Sequence, residues 1–103
     1  MTIGTQQAMA VAMKAMSWRA DKNRMLIEER GISFEDIVFS LQPGCLLDDV
    51  VHPNKDKYSH QRMFIVAIDD YAYLVPYVES DEEIFLKTIV PSRKATKQYL
   101  GEK

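Results

Sequence analysis

One cysteine, four glycines and two histidines in 103 residues leave few routes to familiar chemistries. The single thiol, Cys45, excludes an intramolecular disulfide and fits a reducing cytosol. Between Gly44 and Leu46 it reads as a packed thiol at a strand start rather than a nucleophile. The scattered glycines form no phosphate-cradling loop, and no Ser-His-Asp pattern is present. His52 and His60 stand eight positions apart with no third ligand, so no metal site and no cofactor are expected. No stretch approaches the roughly 20 apolar residues of a membrane span. The Ala- and Met-rich stretch Ala8 to Met16 lacks the basic start and cleavage site of a signal peptide. A net charge of -2 excludes a globally basic nucleic-acid binder.

What is present is one modest domain, 47% apolar and 10% aromatic. Residues 1–16 read as an N-terminal extension and 17–103 as the domain. Charge is unevenly spread. From Lys87 onward five basic residues face one acidic residue, Glu102, whereas Glu79-Ser80-Asp81-Glu82-Glu83 and Asp69-Asp70 are acidic turns. Separated signs can steer a polyanion to one face and a basic partner to another.

Asp21 to Arg30 predicts a helix with Asp21 as N-cap, ended by Gly31, with Ile32 folding back onto Leu26 or Ile27. Ser33 caps a second helix whose apolar residues Phe34, Ile37, Val38 and Leu41 share a face until Pro43-Gly44. Arg62–Ile68 is apolar on both faces, as a central strand would be. Tyr71–Val78 alternates, with Tyr71, Tyr73 and Tyr77 on one face and Pro76 marking an interruption. Asp69-Asp70 is a tight hairpin turn that lacks the favoured glycine. Ile84–Val90 forms a further strand, and Cys45–Val51 is an edge candidate. The expected fold is α+β: two N-terminal helices packed on a small antiparallel β-sheet, closed by a C-terminal basic helix.

The chemistry concentrates at two places. The loop 52–61 carries His60, Lys57 and Tyr58, with Arg62 at the next strand. The junction Val90-Pro91-Ser92-Arg93-Lys94 brings positive charge and backbone N–H groups to a sheet end. Arg62, Arg93, His60, Tyr77, Lys57, Lys87 and Lys97 are a set of anion ligands and proton carriers. Such a set can cut RNA without a metal: a base activates the 2′-OH, cations stabilise the phosphorane and an acid protonates the leaving 5′ oxygen. Plainer roles stand beside these. His60 suits a solvated loop, Arg62 a structural carboxylate pair, the tyrosines a core, and Arg93 with Lys97 a solvated helix face. Lys87 in a strand with two apolar faces calls for a carboxylate or phosphate partner.

Trp18…Lys22-Asn23…Gly31-Ile32-Ser33-Phe34-Glu35-Asp36, Arg62 entering a hairpin, and the closing Pro91-Ser92-Arg93-Lys94-Ala95-Thr96 together resemble the BrnT family of type II toxins. The resemblance spans about Ser17 to Leu100 and implies a RelE-like fold and a ribonuclease that inhibits translation. It implies a cognate antitoxin as partner, in a possible heterotetramer with an antitoxin dimer, and RNA as substrate. The family's motif arginines fall on Arg62 and Arg93; Tyr77 and Glu79 occupy its Tyr-Thr-Glu/Asp segment. Its Lys-His-Gly is Glu29-Arg30-Gly31 here, which removes that histidine or gives its role to Arg30. On this reading Arg62 and Arg93 face one another across a groove, His60 or Tyr77 moves protons, and Lys87 supports the charge. The rival readings are a non-catalytic protein- or nucleic-acid-binding module and a degenerate toxin that retains only antitoxin binding.

Overall fold

A computed structural model of the chain describes residues 14–52, 56 and 61–101. Its elements run β1 (Ala15–Ser17), α1 (Ala20–Arg30), α2 (Phe34–Phe39), β2 (Leu46–Val51), β3 (Gln61–Ile68), β4 (Tyr71–Glu79), β5 (Glu83–Leu86), β6 (Val90–Pro91) and α3 (Arg93–Ala95), which continues as a wider π-type turn (Thr96–Leu100). No described helix is long and apolar enough to cross a membrane.

Local chemistry explains the helical hairpin. α1 starts one residue before the expected cap, at Ala20; the Asp21 carboxylate instead takes the Lys22 N–H at 2.9 Å and the Arg19 guanidinium at 2.7 Å. Gly31 ends the helix at φ 69°, a left-handed conformation that suits a residue without Cβ, and its N–H reaches Ile27 O. Ser33 and Asp36 form a reciprocal capping box at 3.0 Å each way. Asn23 is buried between the helices: its Oδ1 accepts the Phe34 N–H at 2.7 Å and its Nδ2 donates to Glu35 at 2.9 Å. Trp18 stacks on Phe34 with ring centroids 5.6 Å apart.

The sheet order is β1-β5-β4-β3-β2, with β6 also on β4. β2 to β5 pair antiparallel in sequence order, with β6 antiparallel to β4. The expected wholly antiparallel sheet is corrected by β1, which pairs parallel with β5, Ala15 opposite Glu83. That strand crosses the expected 16/17 domain boundary, and Met16 packs against the core. Lys14 ion-pairs with Glu79 at 2.5 Å and Ser17 donates to Glu83 at 2.9 Å, so the acidic turn anchors β1. Residues 1–13 of the expected extension lie outside the described residues.

Asp69 and Asp70 turn the β3–β4 hairpin with φ of 53° and 64°. Two positive φ values in a two-residue turn are the type I′ geometry that matches strand twist. The expected strand Ile84–Val90 is split: it leaves the sheet after Leu86 and rejoins at Val90, against Leu74.

Strand alternation gives the sheet two covered faces. Phe64, Val66, Val75, Tyr77, Ile84 and Leu86 pack with Leu26, Phe34 and Ile37 of the helical hairpin. Ile65, Ala72 and Leu74 on the reverse face pack with Ala95 and Tyr99 of the C-terminal turn. The fold is α+β, with helices on both faces of a mixed sheet.

Candidate functional site

Arg62 stands directly opposite Tyr77 across β3 and β4, and Asp49 opposite Phe64 across β2 and β3. All three side chains therefore sit on the helical-hairpin face at one end of the sheet. The Tyr77 hydroxyl donates to Asp49 Oδ1 at 2.7 Å. Arg62 Nε donates to the Tyr77 oxygen at 3.2 Å and to Asp49 Oδ1 at 3.3 Å, while Nη2 donates to the Asp49 carbonyl at 3.0 Å. Below this cluster the Tyr77 ring stacks on Phe64, centroids 4.0 Å apart and planes 13° from parallel.

The electrostatics follow from that geometry. Burial, then the bond to Asp49, pushes the Tyr77 phenol well above its ordinary pKa, so it stays a protonated donor. The Tyr77 hydroxyl and the Asp49 charge raise Arg62 further. Of the two roles open to Arg62 in the sequence, the structure builds the carboxylate pair. Tyr77, 2% exposed, is core rather than a base-stacking surface, and Tyr73 packs beside the same core.

Arg93 is elsewhere. Ser92 donates its N–H to Ala72 O, five positions along β4 from Tyr77, roughly 17 Å at ~3.3 Å per residue. The turn that carries Arg93 packs on the reverse face through Ala95 and Tyr99. Arg62 and Arg93 thus occupy opposite ends and opposite faces, and the groove expected between them does not form. Arg93 and Lys94 are exposed, and neither makes a side-chain hydrogen bond or ion pair with a described residue. Lys97 is exposed one turn on. The Ser92 hydroxyl takes the Ala95 N–H at 3.0 Å, so one backbone donor of the junction is already used.

Lys87 lies just past β5, exposed, with Nζ 5.4 Å from the centroid of the Phe85 ring. Beyond this cation–π contact Lys87 makes no ion pair with a described carboxylate. Arg30 Nη1 donates to Ile89 O at 2.5 Å and ties the end of α1 to the β5–β6 connection. His60 and Lys57 lie outside the described residues. Among the described residues no group of three His, Cys, Asp or Glu could hold a metal ion.

No family model, curated protein or solved structure matches this chain.

The carboxylates at the centre of β2 were missed in the sequence. Asp48 and Asp49 adjoin in an apolar strand, so they must point to opposite faces. Asp49 serves Tyr77 and Arg62; Asp48 Oδ2 accepts the Tyr99 hydroxyl at 2.7 Å on the reverse face. That bond holds the Asp48 carboxyl below its ordinary pKa and raises the Tyr99 phenol. Paired acids inside an otherwise apolar strand were the available signal.

Proposed function

We propose that the chain is a type II toxin of the BrnT kind, with a RelE-like fold, that engages and cleaves RNA in the cytoplasm and is neutralised by a cognate antitoxin. The observation that carries the reading is the exposed pair Arg93 and Lys94, unengaged by any described side chain, with Lys97 one turn on. Cations placed at the start of a helical turn oppose the helix dipole and add nothing to its stability, which suits an external anion. Arg93 can grip a phosphate bidentately, and the lysines add field along the backbone. His60 supplies the proton transfer, with Lys57 beside it in sequence. Arg62 and Tyr77 keep the structural role their hydrogen bonds give them. The antitoxin covers the basic surface with an acidic segment that orders on binding, within a heterotetramer built on an antitoxin dimer.

A second reading has its own observation. Arg62 is engaged by Asp49 and separated from Arg93, as in a degenerate toxin or binding module that holds RNA or antitoxin without cutting. Inducible expression in bacteria separates the two. A ribonuclease toxin arrests growth, and Arg93→Ala relieves the arrest. Continued growth with the folded wild-type chain overturns the cleavage reading, and retained association with RNA then selects the binding module.

A further inference from the structure

Among the described residues β2 forms one edge of the sheet, and an unpaired edge is a template for another strand. The bond from His52 N–H to Gln61 O sets the alternation along β2. With Val51 opposite Arg62 and Asp49 opposite Phe64, the backbone groups of Val50 and Asp48 face β3, whereas those of Asp49 and Val51 face outward. The outward groups of Asp49 are nevertheless occupied. Its N–H donates to Asp48 Oδ1 at 2.8 Å, and its carbonyl accepts Arg62 Nη2 at 3.0 Å. Val51, beside it, is 57% exposed.

We infer that Asp48 and Arg62 guard the β2 edge against pairing with a second copy of this chain. An antiparallel register centred on Val50 sets Asp49 opposite Val51 of the second copy and Asp48 opposite His52, so no two carboxylates meet directly. In that register every inter-chain backbone bond between residues 48 and 52 of the two copies uses either the Asp49 N–H or the Asp49 carbonyl, and these are the groups the two side chains hold. Arg62 therefore acts at a distance from the proposed RNA surface: it ends the sheet. The inference does not depend on the ribonuclease reading, because its readout is self-association rather than RNA chemistry.

The test is sedimentation velocity on the purified full chain over a concentration series. Arg62→Ala frees the carbonyl and is expected to dimerise where wild type does not, and Asp48→Ala with Arg62→Ala dimerises at lower concentration. Adding Val51→Pro removes an outward N–H needed only for the pairing, and restores the behaviour of wild type. A folded Arg62→Ala chain with the wild-type sedimentation profile overturns the inference, as does self-association indifferent to Val51→Pro. Should the arginine variant not fold, hydrogen exchange on wild type decides. The Asp49 amide must exchange at least tenfold more slowly than the Val51 amide, and equal rates overturn the guard.

Discussion

Removing the Tyr77 hydroxyl is the sharpest perturbation of the cluster that joins β2, β3 and β4. Tyr77→Phe keeps the ring and its stack on Phe64 but deletes the 2.7 Å bond to Asp49 and the acceptor of Arg62 Nε. A hydrogen bond to a charged group contributes about 1.5–3 kcal/mol. The Asp49 side chain is 38% exposed and keeps Arg62 at 3.3 Å, so water and the guanidinium recover part of the loss. The expected cost is at the low end, about 1.5 kcal/mol, or about 1 M in urea midpoint at an m of ~1.5 kcal/mol/M. Tyr77→Ala also removes the ring and costs about 3–5 kcal/mol. The pH dependence carries a second signature. The folded phenol has its pKa raised above the unfolded value of ~10, so the unfolded chain loses that proton first. Stability from this group is complete below pH ~10 and falls as the pH climbs toward the folded pKa. Urea titrations followed by Trp18 fluorescence should show that alkaline loss in wild type and a shallower one in Tyr77→Phe. Equal midpoints and identical alkaline limbs would refute the locked hydroxyl and return Tyr77 to the proton carriers.

Other outcomes follow from the same geometry. Asp70→Gly relieves a positive φ at the second turn position and should stabilise the chain by about 1 kcal/mol, read as a raised urea midpoint. Tyr99→Phe removes the bond that lowers the Asp48 pKa. A depressed carboxylate contributes stability above its unfolded pKa and loses it as pH falls through the folded one, so the variant's acid-unfolding midpoint should move to higher pH. Binding to single-stranded RNA through Arg93, Lys94 and Lys97 gives a log–log salt slope of about -2, reduced by about 0.7 in Arg93→Ala and unchanged in Arg62→Ala.

The helical hairpin was legible because its signals are local. Gly31 stops a helix, Ser33 with Asp36 starts one, and each acts within a few residues. The Asp69-Asp70 turn and the edge position of β2 were legible for the same reason. The parallel β1–β5 pair was not: Ala15 and Glu83 meet only after the whole hairpin and meander are in place. Lys87 misled because Ile84 to Val90 reads as an unbroken strand, whereas the chain leaves the sheet after Leu86. The residues behind the family resemblance proved largely architectural. Trp18 stacks on Phe34, Asn23 bonds across the two helices, and Arg62 holds β2. Among the described motif residues, Arg93 and Lys94 are left exposed without such a task.

Metal-independent cleavage through the 2′-OH leaves a 5′-hydroxyl on the downstream fragment. Mapping 5′-hydroxyl RNA ends in bacteria shortly after induction therefore reads out the proposed cleavage itself. New ends are expected with the wild-type chain, and their loss with Arg93→Ala. Intact RNA beside folded wild-type protein, or an undiminished set of ends with Arg93→Ala, would contradict the proposal.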